Sequence, residues 1–233
     1  MAIPSFSVIV TAAGSSTRFK DENINGSVKK EFMSVDGHSV LYSAASKFMT
    51  IPGMVALAIT FDSDVEVQTK YALEDLVLQH DIPILMVEGG KTRQNSVFNA
   101  LRSLSDNGLG GQFVMIHDGA RPFVSLENIY QIFAEASLAG AAAGAIPISD
   151  AVIEITDRMT VSRHVDKKRL MLIQTPQIFR FDQILEAHAK AENDDFEYGD
   201  DASIYQKYIG DVSICPGDEC NRKITWPHDL EGM

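Results

Sequence analysis

The sequence predicts an α/β fold: a mostly parallel sheet with helices on both of its faces. Three observations carry the prediction. Short apolar, β-branched runs alternate with longer amphipathic segments up to residue 148, and such alternation builds right-handed βαβ units on a parallel sheet. The first run, Val8-Ile9-Val10-Thr11, stops abruptly at Ala12-Ala13-Gly14-Ser15-Ser16-Thr17-Arg18. Open sheets bind ligands at such strand-to-loop exits. After Asp150 the pattern changes to two β-rich runs joined by Asp157-Arg158, a hairpin signal outside the repeat.

In chain order, Ser7–Thr11 is the first strand, and its apolar run fits burial on both faces. The polar segment Asp21–Val28, with Gly26, reads as a mobile loop between Arg18 and Lys30. Val40–Met49 is a helix ended by Pro52-Gly53. Met54–Thr60 is the second strand. Val65–His80 is helical, with Val67, Tyr71, Leu73, Leu76 and Val77 spaced for one buried face. Ile84–Val87 is the third strand, and Glu88-Gly89-Gly90 is its exit turn. Arg93–Leu104 is a helix, Phe113–His117 the fourth strand, and Asp118-Gly119-Ala120-Arg121-Pro122 its exit. Leu126–Ala139 is a helix stopped by Gly140, and Ala141–Ile148 is the fifth strand. Ala151–Thr156 and Met159–Val165 form the hairpin. A two-stranded arm is not stable alone, so it is expected to pack on a second copy of the chain. Leu170–Gln174 and Thr175-Pro176-Gln177 return to the core. Phe181–Ala191 is an amphipathic helix. The acidic stretch Asp194–Asp201 opens a helix over Ala202–Tyr208, where carboxylates favour the positive N-terminus. Val212–Cys215 and Arg222–Thr225 are short strands, and Pro227 begins a last helical turn.

The 233 residues, 45% hydrophobic and 22% charged, suit one globular domain over 1–233 with an arm at about 150–169. A net charge of −12 argues against a nucleic-acid partner, though basic residues gathered in one cleft still suit a small phosphorylated substrate. No apolar run approaches membrane-spanning length, and Met1-Ala2-Ile3-Pro4-Ser5 lacks the features of a secretory signal. With Cys215 and Cys220 expected as thiols, a cytoplasmic protein is expected.

The chemistry is expected where the strand exits converge. The small residues after the first strand let backbone N–H groups approach an anion, and Arg18 and Lys30 add positive charge. The loop is not a P-loop, because no Gly-Lys-Ser/Thr closes it. Gly14 without further spaced glycines is a poor dinucleotide fingerprint, which disfavours an oxidoreductase. Asp118 is a candidate for more than a strand cap. His117 reads as structural, Lys29 as solvated and Arg222 as a surface charge. Asp201 is a candidate helix N-cap. Arg93 and Arg121 stand either as loop clamps bonded to carbonyls or as nucleotide contacts.

Seven pieces occur together, in order, over nearly the whole length. They are Ala12–Arg18, Lys30-Glu31-Phe32, Gly89–Val97, His117–Phe123, Gln174-Thr175-Pro176-Gln177, Asp200-Asp201-Ala202-Ser203 and Asn221-Arg222-Lys223-Ile224-Thr225. In these the chain resembles the 2-C-methyl-D-erythritol 4-phosphate cytidylyltransferases of non-mevalonate isoprenoid biosynthesis, nucleotidyltransferases with a Rossmann-like sheet. The resemblance implies transfer of CMP from CTP to a polyol phosphate, release of pyrophosphate, Mg2+ as cofactor, and a homodimer joined through the β-arm. It implies catalytic roles for Arg18, Lys30, Lys167 and Lys223. It implies nucleotide contacts from Ala12, Ala13, Gly14, Gly90, Ser96, Asp118 and Gly119, with Asp118 holding the metal. The attacking group would be the substrate's own phosphate, largely dianionic at neutral pH, so no general base is required.

Three departures from the family pattern lie around the polyol phosphate. Asp150-Ala151-Val152-Ile153 replaces an Asp-Thr-x-Lys pattern, Lys167 stands where an Arg is usual, and Gly199 stands where a Thr is usual. Lys keeps the charge of Arg but loses its bidentate fork. Another polyol phosphate, such as ribitol 5-phosphate, and a catalytically silent nucleotide-binding homologue are therefore the alternatives.

Overall fold

The apolar run near the N-terminus becomes the centre of the sheet. The computed structural model describes residues 4–14, 19 and 29–230. In it, β1 (Phe6–Thr11) pairs parallel with β4 (Met54–Phe61) on one side and β6 (Phe113–Asp118) on the other. Side chains alternate across a strand, so Phe6, Val8 and Val10 enter one core cluster and Ile9 the other. This strand is therefore apolar on both faces from Val8 to Val10, and the buried Ser7 hydroxyl donates to Gly110 O at 2.9 Å.

Between β1 and β4 come the short strands β2 (Ser34–Val35) and β3 (His38–Ser39) and helix α1 (Val40–Met49). The Ser39 hydroxyl caps α1 by accepting from Tyr42 N–H. After β4 lie α2 (Glu66–Ala72) and α3 (Glu74–Gln79), then β5 (Ile84–Glu88), α4 (Arg93–Asp106), β6, α5 (Leu126–Ala139) and β7 (Ala141–Pro147). Gly140 ends α5 in the left-handed region, φ 94°, which favours glycine there. The hairpin is β8 (Val152–Ile155) and β9 (Val161–Val165), an antiparallel pair apart from the main sheet. The chain returns as β10 (Met171–Arg180), continues through α6 (Phe181–Ala191) and α7 (Asp201–Tyr208), and adds β11 (Ser213–Pro216).

Among the described residues the main sheet has seven strands in the order β11-β7-β10-β6-β1-β4-β5. Only β10 runs against its neighbours, antiparallel to both β6 and β7. Helices α1 and α5 contribute to the core on one face, and α4, α6 and α7 to the core on the other. The expected Rossmann-like α/β architecture is the observed one.

Several local expectations are corrected. The single helix expected over 65–80 is interrupted at Leu73, with φ −112° and ψ 2°, between α2 and α3. Its inward stripe is Thr69, Leu73 and Leu76, while Val67, Tyr71 and Val77 face solvent. The Thr69 hydroxyl donates to Val65 O at 2.8 Å, which lets a polar residue hold an inner position that apolar counting gave to Val67 and Tyr71. Arg222–Thr225 is not a strand; it follows an irregular path on which Ile224 N–H donates to Ala120 O at 2.8 Å. The cap of α7 is Asp200, not Asp201: its Oδ1 accepts from Ser203 N–H at 2.9 Å. The expected loop Asp21–Val28 lies outside the described residues.

Candidate active site

A cleft of about 780 Å³ opens at the carboxyl ends of β1, β4, β5 and β6. The register puts Thr11 beside both Thr60 and Asp118, so the exits of β1, β4 and β6 are level. Two glycines bring the loops together. A Cβ on Gly89 would sit 2.3 Å from that of Ala13, and one on Gly90 would sit 2.3 Å from that of Asn95. Thr92 caps α4 by accepting from Asn95 N–H at 3.1 Å. Ser96 Oγ accepts from Gly90 N–H at 3.0 Å and donates to Thr92 O at 2.9 Å. The Gly-rich exit of β5 is thus a rigid wall built by the first turn of α4.

Asp118 is the electrostatic centre. Arg93 Nε lies 3.3 Å from Oδ1, Arg121 Nε 3.4 Å from Oδ2, and Lys223 Nζ 2.9 Å from Oδ2. Burial by itself would raise the Asp118 pKa. The charges of Arg93, Lys223 and Arg121 overturn that effect and hold the carboxyl ionised well below the usual carboxylate range. Arg93 also meets Asp201 Oδ2 at 2.8 Å through Nη1. Burial opposes its charge, but Asp201 and Asp118 outweigh that and raise its pKa.

The surroundings of Asp118 are fixed by polar groups that are spent on one another. Asp118 N–H donates to Thr175 Oγ1 at 3.0 Å, and that hydroxyl lies 3.1 Å from His117 Nδ1. Arg121 O can only accept, so His117 Nε2 carries the ring proton and donates to it at 3.0 Å. In the neutral ring Nδ1 is then the acceptor, and the Thr175 hydroxyl donates to it. Burial pushes the His117 pKa down to about 4, so the ring is neutral at pH 7 and structural. Arg121 Nη1 donates to Asn221 O at 2.8 Å, and Asn221 Nδ2 to Thr175 O at 2.8 Å. Arg121 thus clamps both a carbonyl and Asp118. These bonds, with Ile224 N–H to Ala120 O, carry Lys223 to the exit of β6.

The cleft lining brings together Ala13, Gly14, Lys30, Gly90, Ser96, Asp118 and Lys223. Lys30 Nζ donates to Ile224 O at 2.9 Å, joining the start of the chain to the Lys223 segment. Ala12 and Gly119 are buried behind the lining, with their N–H groups donated to Thr60 O and Thr11 O. Lys167 lies outside this cleft, at the base of the hairpin, where Nζ donates to Ser149 O at 2.5 Å. Arg18 lies outside the described residues. Lys29, expected as solvated, is corrected: it pairs with Asp62 at 2.6 Å and donates to Gly14 O at 3.2 Å. Its ammonium ties the end of the first loop to the exit of β4. Sequence reasoning also missed Glu197 in the lining and the inward role of Asp201. The doublet Asp200-Asp201 held a signal for the second, because only one of two adjacent acids can cap the helix.

Among the described residues no group of three or more His, Cys, Asp or Glu side chains is placed to hold a metal by itself. Asp118 still fits Mg2+, which takes one or two carboxylates and completes its shell with water and phosphate oxygens. The carboxylate is ionised and lines the cleft. The arrangement can gather polyanions between Lys30 and Lys223 and place one divalent ion at Asp118.

The chain matches the family model described as "IspD: 2-C-methyl-D-erythritol 4-phosphate cytidylyltransferase" over residues 6–232. It is 34% identical over 232 residues to the 2-C-methyl-D-erythritol 4-phosphate cytidylyltransferase of Solibacter usitatus, covering 96% of this chain and 92% of that protein. It is 33% identical over 224 residues to the enzyme of the same name from Clostridium novyi, covering 95% and 92%. Among solved structures it is similar to 4-diphosphocytidyl-2C-methyl-D-erythritol synthase from Anaerococcus prevotii, with a TM-score of 0.80, 26% identity and coverage of 97% and 93%. It is also similar to the Thermus thermophilus cytidylyltransferase, with a TM-score of 0.75, 27% identity and coverage of 97% and 95%.

Proposed function

We propose how the cleft works from the premise that this chain belongs to the 2-C-methyl-D-erythritol 4-phosphate cytidylyltransferase family. It is a nucleotidyltransferase that moves CMP from CTP to the phosphate of 2-C-methyl-D-erythritol 4-phosphate, giving CDP-methylerythritol and pyrophosphate. The observation that carries the residue assignment is one buried, ionised carboxylate held by three cations at a cleft that also presents Lys30.

The substrate phosphate supplies its own nucleophilic oxygen, which forms a bond to the α-phosphorus of CTP as the bond to pyrophosphate breaks. No proton need be removed from a phosphate dianion. The difficulty is the approach of two polyanions, and preplaced charge is the remedy. Lys30, with Arg18, neutralises the triphosphate at the α-phosphorus. Lys223 holds the attacking phosphate. Gly14, Gly90 and their neighbours seat the nucleotide, and Ser96 keeps the Gly90 wall in place. Asp118 would hold Mg2+, which would supply positive charge beside the phosphates.

A homodimer belongs to the same proposal. The hairpin carries exposed Ile153, Ile155, Met159 and Val161, and Met171 and Leu172 are exposed where the chain comes back from it. This apolar surface suits a second copy of the chain. Lys167, outside its own cleft, would then reach the substrate phosphate in the neighbouring one. No helix among the described residues is long and apolar enough to cross a membrane. Cys215 and Cys220 are free thiols, which suits a cytoplasmic setting.

The test is pyrophosphate release from CTP and Mg2+, with 2-C-methyl-D-erythritol 4-phosphate and ribitol 5-phosphate supplied separately. Release with the first and a CDP-methylerythritol product are expected. Release with ribitol 5-phosphate alone would move the substrate assignment to the other polyol, and no release with either would overturn the proposal.

A further inference from the structure

Asp201 and His188 lie behind the cleft with both side chains fully buried. Asp201 is the first residue of α7, and its carboxylate reaches two other helices. Oδ2 lies 2.8 Å from Arg93 Nη1, at the start of α4, and Oδ1 lies 3.1 Å from His188 Nε2, on α6. The His188 ring is stacked on Phe98, with centroids 6.1 Å apart and planes 17° from parallel, so the imidazole is held flat against α4. Burial would raise the Asp201 pKa, but Arg93 and then His188 hold it below its ordinary value. The carboxylate is charged and faces a guanidinium.

A buried ion pair is weak evidence for stability, since an apolar pair of similar volume often serves the fold as well. Its geometry here points to another use. Arg93 has a planar fork with three nitrogens. Nη1 is taken by Asp201, and Nε is the nitrogen offered to Asp118 Oδ1 at 3.3 Å. Without Asp201 the guanidinium would be free to turn two nitrogens onto Asp118, the stronger bidentate arrangement. That rotation would cover the carboxylate oxygens that the cleft needs for its ion and for exchange with Lys223.

We propose that Asp201, oriented by His188, is a positioning residue for the transfer reaction: it restrains Arg93 to a single-nitrogen contact and so keeps Asp118 open toward the cleft. Asp201 touches neither substrate nor reacting atoms. The inference rests on the cytidylyl transfer proposed above for this cleft.

The experiment measures kcat and KM for CTP in the wild-type protein, Asp201→Asn, Arg93→Gln and the double variant, with circular dichroism to establish folding at the assay temperature. Asn keeps the shape but turns a charged acceptor into a neutral amide. Loss of a group that orients a metal-binding side chain typically costs about 10–100-fold. Asp201→Asn is expected to lose that much kcat with KM for CTP changed less than about threefold. The double variant is expected to be no slower than Arg93→Gln alone, because the two residues act through one contact. His188→Asn is expected to reproduce part of the loss. A folded Asp201→Asn with wild-type kcat, or a double variant whose losses multiply, would overturn the proposal. Should Asp201→Asn fail to fold, His188→Asn combined with Arg93→Gln makes the same comparison. A wild-type protein without turnover would instead overturn the functional reading.

Discussion

Replacing Lys223 with Met separates a catalytic charge from a structural one. Lys223 Nζ lies 2.9 Å from Asp118 Oδ2, and the lysine is 36% exposed. At an effective dielectric constant of about 20 that separation gives a charge attraction of about 6 kcal/mol. Little of it reaches folding stability. The lysine is open to solvent and salt, and Asp118 keeps Arg93 and Arg121 at 3.3 and 3.4 Å. The expected stability loss is about 0–1 kcal/mol, the range for exposed pairs. The chemistry should suffer far more, because Lys223 supplies charge where two phosphates meet. Loss of one such group costs about 3 kcal/mol of transition-state stabilisation, or about 100-fold in kcat. Urea unfolding and single-turnover pyrophosphate release, measured on the same preparation, give both numbers. Turnover within threefold of wild type would remove Lys223 from the mechanism. An unfolding loss above about 3 kcal/mol, as expected for a broken buried pair, would make it a strut instead.

Further outcomes follow from the same geometry. Lys30→Ala, or Arg18→Ala, should lower kcat by about 100-fold or more while the protein stays folded, as read by pyrophosphate release and circular dichroism; near-normal turnover in both would exclude them. His117 should make stability depend on pH. Its folded pKa of about 4 lies below its ordinary value near 6.5, so the unfolded chain takes up the proton first. Its stabilisation is complete above about pH 6.5 and is lost as pH falls toward 4, amounting to about 2 kcal/mol between pH 7 and pH 5. Urea unfolding at the two pH values should show that drop in the wild type, and a folded His117→Gln variant should not. Charged substitutions at Ile155 and Val161 on the hairpin should shift sedimentation from dimer toward monomer; a protein that sediments as a monomer before substitution would remove the arm from assembly.

Much of the fold was legible because its strands are short apolar runs, several of them closed by glycine or proline. The ends of α1 and α5 could be placed from stops such as Gly140, and α6 from its amphipathic spacing. The failures share a cause. Thr69 faces inward because Val65 O accepts its hydroxyl proton, and no pattern of apolar residues reports that. The path of Arg222–Thr225 depends on side chains that are distant in sequence, Arg121 and Lys30 among them. In the candidate site, Asp118, Lys223 and the glycine wall could be named from short motifs. The partners of Arg93 could not. Asp201 lies over a hundred residues away and reads as a helix cap until the fold brings the start of α7 to Arg93. Lys29 looked solvated because its partner Asp62 belongs to another strand exit.

Transfer requires CTP and the polyol phosphate to meet at the Asp118 end of the cleft. A crystal structure with Mg2+, a non-hydrolysable CTP analogue and 2-C-methyl-D-erythritol 4-phosphate measures this directly. The expected complex has the α-phosphate within hydrogen-bond reach of Lys30, an ion on Asp118, and Lys223 turned from Asp118 to the attacking phosphate. A triphosphate bound away from Lys30, with Lys223 still closed on Asp118, would contradict it.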